Sequence, residues 1–261
     1  MREIPDSHPR KSSLLSRQKM VDAGNKGLLA DSAMIAHGRG EAFDYLLGEV
    51  TIESASRAIR EAAARLKNAK SPVISVNGNT VVLAGEQLIR VAAVLGCPIE
   101  VNLYYRTPER VSGLLAMLRE QRERVSHEGG PSDFEGEWGS AVMSVPLIGE
   151  DPDFRIAGLE GPRSFCTEEG IGLADLVLVP LEDGDRCGAL VNSGKDVIVI
   201  DLNPLSRSSL GATVTIVDEV SRSSEVLLGE ILRCRRGPAE WDNIVGLRDA
   251  LSVISDSVGR I

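Results

Sequence analysis

The sequence predicts an α/β fold: a mainly parallel, Rossmann-like sheet flanked by helices, with a helical N-terminal segment. Three features carry that prediction. Asp175-Leu-Val-Leu-Val-Pro180 and Asp196-Val-Ile-Val-Ile-Asp201 are continuous apolar runs of strand length. Neither alternates with polar residues, so both faces are expected to be buried, as in a parallel sheet covered by helices. Between them, Arg186 to Ser193 is long enough for a helical crossover, and Thr213 to Val217 followed by a helix at Val220 to Leu232 repeats the βαβ pattern.

The remaining elements are taken in chain order. The first fifty residues are polar and helical in tone, interrupted by an expected loop at Ala36 to Asp44. Thr51 to Ala69 is an amphipathic helix, with Ile52, Ala55, Ile59, Ala62, Ala63 and Leu66 at helical spacing and Thr51 as the expected N-cap. Pro72 blocks further helix and Val73 to Val76 reads as a strand. Asn77-Gly78 admits a hairpin. The helical spacing of Val82, Leu88, Val91, Ala92 and Leu95, stopped by Gly96, favours strand, loop and helix instead. A strand at Ile99 to Leu103 and a helix from Pro108 to about Arg124 come next. Gly129 to Asp153, rich in Gly, Pro and acid, is expected to be mobile, with Ala141 to Val145 a candidate strand. Trp241 to Ile261 reads as a terminal helix. Residues 1–261 are expected to form a single α/β domain, with 1–50 contributing to the site.

Composition narrows the function. Asp and Glu outnumber Lys and Arg, 38 to 29, for a net charge of −9 over 261 residues. Such a balance argues against nucleic-acid partners and against attachment to an anionic membrane. Aromatic residues are 3% of the chain, too few for a base-stacking platform. No run of about 18 apolar residues is present, so no transmembrane helix is expected. Met1 to Lys11 lacks the apolar region of a secretory signal. Cys97, Cys166, Cys187 and Cys234 are scattered without a C-x-x-C pair, which predicts neither zinc site nor disulfide framework and makes the cytoplasm the default compartment.

In an open parallel sheet, ligands bind beyond the carboxyl ends of the strands. The residues there form a polar set: Asn77 to Thr80, Asn102 to Arg106, Leu181 to Arg186, and Asp201 to Arg207. Glu182, Asp183, Asp185 and Arg186 crowd three carboxylates and a guanidinium around Gly184, whose missing side chain allows a positive φ or a close approach. A nucleotide site would use such acids for ribose hydroxyls or a magnesium ion; a solvated acidic turn fits the same spacing. Asp201 ends a buried strand, where an acid often holds ribose hydroxyls. Asn203 and Ser206 suit a base or phosphate and Arg207 a bidentate phosphate contact. Asn203-Pro204 as a plain turn and Ser206 as a helix cap are equally compatible.

Ala36-His-Gly-Arg-Gly-Glu41 sets two glycines around Arg39, with His37 a candidate base or phosphate donor. It is not a dinucleotide fingerprint, because the third glycine and the preceding strand are missing, and Gly170-x-Gly172 fails likewise. Arg10 and Arg17 flank a polar segment and otherwise read as surface residues. There is no P-loop, H-E-x-x-H, G-x-S-x-G or S-x-x-K with its partner motifs, so neither a side-chain nucleophile nor a catalytic zinc is supported.

Ser7-His-Pro-Arg10, Ile35-Ala-His-Gly-Arg-Gly-Glu-Ala-Phe-Asp-Tyr45, Val73-Ile-Ser-Val-Asn-Gly-Asn-Thr80, Val101-Asn-Leu-Tyr-Tyr-Arg106, Val179-Pro-Leu-Glu-Asp-Gly-Asp-Arg186 and Ile200-Asp-Leu-Asn-Pro-Leu-Ser-Arg207 occur in this order. This series strongly resembles the archaeal-type 4-phosphopantoate–β-alanine ligases, or phosphopantothenate synthetases, over nearly the whole chain. Gly129 to Asp153 departs from that pattern, being longer and more acidic. The resemblance implies an ATP-dependent, AMP-forming ligase of coenzyme A biosynthesis. It would join 4-phosphopantoate to β-alanine through an acyl-adenylate, with Mg²⁺, as a homodimer.

The resemblance further implies that Arg17 and Arg39 meet ATP near its phosphates. Glu182, Asp183, Gly184 and Arg186, with Asp201, Leu202, Asn203, Ser206 and Arg207, would contact the nucleotide. Asn77, Gly78, Asn79 and His37 extend this to the phosphopantoate side. Arg10, His37 or Arg106 would hold the substrate's own phosphate, and Asp185 or His37 would be the base for the amine. Two other readings fit the loops: a Rossmann-type oxidoreductase, and an ATP-sensing module without turnover.

Overall fold

The structure is a computed structural model and describes residues 4–257. It opens with three helices, α1 (Lys11–Asn25), α2 (Asp31–Leu47) and α3 (Glu53–Asn68). The loop expected at 36–44 is instead the middle of α2. Gly38 and Gly40 lower helix propensity there. Packing overrides them: Asp44 and Leu47 are buried, and Gly48 closes the helix in a left-handed cap at φ 89°. Thr51 does not cap α3. The N-cap position is Ile52, and the Thr51 hydroxyl donates to Asp218 at 2.7 Å.

Next come β1 (Pro72–Val76), α4 (Gly78–Leu95), β2 (Ile99–Val101) and α5 (Pro108–Ser126). Asn77-Gly78 starts a helix and closes no hairpin, since the Asn77 side chain accepts from the Thr80 N–H at the start of α4. Residues 129–153, expected to be mobile, carry α6 (Trp138–Met143) and β3 (Leu147–Ile148). The candidate strand at 141–145 overlaps α6 and is helix in its first half. Glu137 caps that helix through the N–H groups of Gly139 and Ser140, and Trp138, Val142 and Val145 are buried in the main core.

A two-stranded antiparallel ribbon, β4 (Phe154–Arg155) and β5 (Phe165–Cys166), leads into β6 (Leu176–Pro180), α7 (Gly184–Asn192), β7 (Asp196–Ile200), α8 (Arg207–Gly211), β8 (Val214–Ile216), α9 (Val220–Arg233) and α10 (Asn243–Asp256). The expected terminal helix thus starts at Asn243 behind its cap Asp242, and 258–261 lie outside the described residues.

Six strands form one parallel sheet in the order β3-β2-β1-β6-β7-β8. The chain builds outward from β1 to β3, returns to β6 beside β1, and builds outward the other way. The carboxyl ends of β1 and β6 are therefore the switch point, where open sheets of this kind bind ligands. The apolar runs reflect burial on both faces. Ile74, Val76, Leu178, Ile198 and Ile200 pack with Leu66, Leu88 and Leu227 of α3, α4 and α9. Val73, Val177, Val179, Val197 and Val199 fill a smaller cluster with Cys187 and Leu190 of α7.

Among the described residues α4 alone is long and apolar enough to cross a bilayer by composition, with a mean hydropathy of 1.2 over 18 residues. No such helix was expected from the sequence because Glu86 and Arg90 interrupt the apolar run. It packs against α5 and α9 as a core helix. The four cysteines are free. Burial pushes the Cys97, Cys166 and Cys187 thiols up to about 12, so they serve as packing groups.

Candidate active site

A cavity of about 580 Å³ opens at the carboxyl ends of the strands. One wall is made by residues just past the ends of the strands: Asn77 and Gly78 after β1, Asn102 after β2, Leu181 to Asp183 after β6, Leu202 after β7, and Glu219 to Arg222 after β8. The other is made by the N-terminal helices, through Arg10, Ser13, His37, Gly40, Glu41 and Asp44.

The sheet wall is knitted at the switch point. Asn77 Nδ2 donates to the Leu181 carbonyl at 2.8 Å, and the Thr80 hydroxyl donates to the Pro180 carbonyl at 3.1 Å. Leu181 has a left-handed backbone (φ 57°), an uncommon state for a branched residue, and its N–H donates to Ile200. That turn delivers Glu182 to the cleft. Glu182 Oε1 accepts from the Asp183 N–H at 2.9 Å, and Oε2 lies 3.3 Å from Arg186 Nε. Burial pushes the Glu182 carboxyl up to about 7, against the pull of Arg186.

Asp183 caps α7 by accepting from the Arg186 N–H at 2.9 Å. Gly184 is required for close approach and not for a positive φ, since a Cβ there would stand 2.4 Å from Arg207 Cβ. Asp185 sits between Arg163 (3.1 Å) and Arg207 (2.8 Å), and hydrogen bonds from both hold it below the usual carboxylate range. Arg186 is only 2% exposed; Nη1 donates to the Arg163 carbonyl and Nη2 has no partner. Glu182 pairs with Arg186, while Asp183 (3.5 Å) and Asp185 share Arg163 and Asp185 also pairs with Arg207, so the three acids are met by arginines. Among the described residues no group of three or more His, Cys, Asp or Glu could hold a metal ion.

The 201–207 turn is tied to itself. Asp201 accepts from the Asn203 N–H (2.9 Å) and the Ser206 hydroxyl (2.5 Å), Asn203 accepts from the Leu205 N–H, and Ser206 caps α8. Burial pushes Asp201 up; the Ser206 and Asn203 hydrogen bonds and the charge of Arg39 oppose it. Arg39 is exposed on α2, close enough for its charge to reach this turn.

On the helical wall, Arg10 donates to Glu49 (3.0 Å) and Glu41 (3.2 Å) and lies over the Tyr45 ring, and Arg17 pairs with Glu41 at 2.7 Å. Arg222 reaches from α9 to Asp44 at 2.6 Å and also pairs with Asp218. Asn79 Nδ2 donates to the Ala33 carbonyl at 3.0 Å. His37 is half-buried with Nε2 unpartnered; burial pushes its pKa down and Glu41 opposes the shift.

Of the residues singled out in the sequence, the cavity lining brings together Arg10, His37, Asn77, Gly78, Asn79, Glu182, Asp183, Arg186 and Leu202. The other predicted residues are not in the lining: Arg17 and Asp185 pair with its Glu41 and Arg163, Arg207 pairs with Asp185, Gly184, Asp201, Asn203 and Ser206 belong to the turns beside it, and Arg39 is exposed on α2. Arg106 does not face the cavity: its guanidinium donates to the Gly149 (2.6 Å) and Glu150 (3.0 Å) carbonyls and anchors the chain after β3. The sequence reading missed Arg163 and Arg222. Arg222 was within reach of the same rule, for it comes after β8 as the other site residues come after their strands. Arg163 comes from a single 3-10 turn (Pro162–Ser164) before β5 and carried no signal.

Fold and cavity together define a Rossmann-like α/β protein with a ligand cleft at its switch point. Residues 54–261 match the phosphopantothenate/pantothenate synthetase family, and the chain belongs to it. It is similar to the 4-phosphopantoate–β-alanine ligase of Thermococcus onnurineus (strain NA1), at 43% identity covering 100% of this chain and 95% of that protein. The ligase of Thermococcus kodakarensis is also 43% identical, over 100% and 95%. That of Methanospirillum hungatei JF-1 is 42% identical, over 97% of each.

Proposed function

We propose that the chain is an ATP-dependent ligase that condenses 4-phosphopantoate with β-alanine to give 4′-phosphopantothenate, AMP and diphosphate, a step toward coenzyme A. The likeness to named ligases carries this reading, because it runs the full length of the chain and includes the helical wall of the cleft. The chemistry suits the lining. The pantoate carboxylate attacks the α-phosphate of ATP, diphosphate leaves, and the amine of β-alanine then displaces AMP from the acyl-adenylate. Such steps need positioning and charge neutralisation more than a protein nucleophile.

We assign Arg17, Arg39 and Arg207 to the ATP phosphates, and the turns 182–186 and 201–206 to the rest of the nucleotide. Asn77, Gly78, Asn79, His37 and Arg10 are assigned to phosphopantoate. Mg²⁺ would travel on the ATP phosphates, as that ion commonly does, since the acids here are not gathered into a cage. Homodimerisation is supported by Leu205 and Leu210 around α8 and Ile244 and Val245 on α10, all exposed on packed neighbouring elements. We assign the protein to the cytoplasm, where ATP is supplied. The test is a product assay. AMP and diphosphate should appear only when ATP, 4-phosphopantoate and β-alanine are all present; ADP as product, or none, would refute the reading.

A further inference from the structure

We infer that Asn102 selects the acid substrate, its side-chain oxygen accepting a hydrogen bond from the 2-hydroxyl of 4-phosphopantoate. This rests on the ligase reading and deepens it, by naming the residue that tells the hydroxy acid from acids lacking that group.

Asn102 holds an unpaired acceptor. It follows β2, lines the cavity and is 4% exposed. Its backbone N–H donates to the Val76 carbonyl at 2.8 Å, which ties it to the end of β1. Its Nδ2 donates to Ser75 Oγ at 3.2 Å and to the Glu100 carbonyl at 3.4 Å. Oδ1 is buried and has no donor among the described residues. The amide is not free to turn over. A flip would set Oδ1 against the Glu100 carbonyl, acceptor against acceptor. A buried acceptor without a donor is costly, so a cavity wall that keeps one suits a donor that arrives with the ligand.

Place and chemistry identify that donor. Val76 and Val101 are register partners, so Asn77 and Asn102 leave β1 and β2 side by side. The turns assigned to ATP leave β6 and β7, on the other side of β1. Asn102 therefore belongs to the part of the cleft assigned to phosphopantoate. That acid carries a carboxylate, a phosphate, two methyl groups and one hydroxyl. At neutral pH the hydroxyl is its donor, and both anions would be repelled by Oδ1. The hydroxyl sits on the carbon that bears the reacting carboxylate, so holding it also aims that carboxylate at the α-phosphate.

The ammonium of β-alanine fits this spot less well. A buried cation needs a carboxylate beside it. Glu100, two residues earlier on the same face of β2, is already engaged by the Thr167 N–H, the Thr167 hydroxyl and the Ile171 N–H. A neutral hydroxyl needs the single acceptor that Asn102 offers.

The experiment compares two acids at saturating ATP and β-alanine: 4-phosphopantoate and its 2-deoxy analogue, 4-phosphooxy-3,3-dimethylbutanoate. AMP formation by the wild-type protein should favour the hydroxy acid by about 10–100-fold in kcat/KM, because the analogue leaves a buried acceptor unpaired. In Asn102→Ala that ratio should collapse to within about threefold of parity. A merely structural role would weaken both acids alike and keep the wild-type ratio. Should Asn102→Ala fail to fold, Ser75→Ala, which releases Nδ2, should narrow the same ratio. Equal use of the two acids by wild type, an unchanged ratio in the variant, or a change confined to KM for β-alanine overturns the inference. No AMP from wild-type protein supplied with phosphopantoate would refute the ligase reading itself, whatever Asn102 does.

Discussion

The two walls of the cleft are built by different forces. The sheet wall is held by hydrogen bonds to buried backbone: Asn77 to Leu181, Thr80 to Pro180, Leu181 to Ile200 and Ser208 to Glu182. Such bonds are short-range and join neutral groups, so salt does not screen them. The helical wall is fastened mainly by ion pairs, Arg10 to Glu41 and Glu49, Arg17 to Glu41, and Arg222 to Asp44. Ion pairs of this kind respond to salt and pH. One wall is therefore preorganised by the fold, and the other is latched to it by charge.

The largest effect is expected at the latch. Arg222→Ala strips the counter-charge from Asp44 and Asp218, both buried, and should cost about 3–5 kcal/mol in chemical denaturation. Hydrogen exchange in α2 should rise while β6 stays protected. Equal loss in both would erase the distinction between the walls. On the sheet side, Asn77→Ala removes the cap of α4 and the tie to Leu181. It should cost about 1–3 kcal/mol and loosen both elements together.

Arg39→Ala sharpens the contrast differently. The side chain is exposed, so stability should change by less than about 0.5 kcal/mol. AMP formation should nevertheless drop about 10²-fold, and near-normal turnover would dismiss α2 from the nucleotide site.

The smallest effect is electrostatic. Burial raises Glu41, but hydrogen bonds from Arg17 and Ser13 and nearby arginine charge more than offset it, for a net lowering. Its stabilisation is present above the ordinary glutamate value of 4.5 and is lost as pH falls through the lower folded value. Glu182 runs the other way. Its buried charge burdens the folded state above about 7, and protonation relieves that burden as pH falls toward 4.5. Acidification should first firm the sheet rim and then loosen α1 and α2, read as residue-level exchange across a pH series.

The same division governs what the sequence discloses. The sheet wall was legible because two-sided burial writes itself as unbroken apolar runs, and the strand-end rule then points to Asn77, Glu182 and Leu202. The helical wall was legible only as motifs. Two glycines in 36–44 read as a loop, since nothing local reveals that Arg222, distant in sequence, holds Asp44 and with it the helix. Arg106 misled for a related reason, its carbonyl partners lying in a segment that carried no strand signal. The edge strand β3 is two residues long and leaves almost no pattern. The cap Glu137 was the available sign that 138–143 is helical.

Leu181 carries one more implication. A glycine there would accept the left-handed backbone without strain, so Leu181→Gly ought to ease folding at that single residue. The leucine packs against the main core, and that anchorage would go with it. The native residue thus trades local comfort for a rim that cannot wander, and every group hung from that corner inherits its stillness.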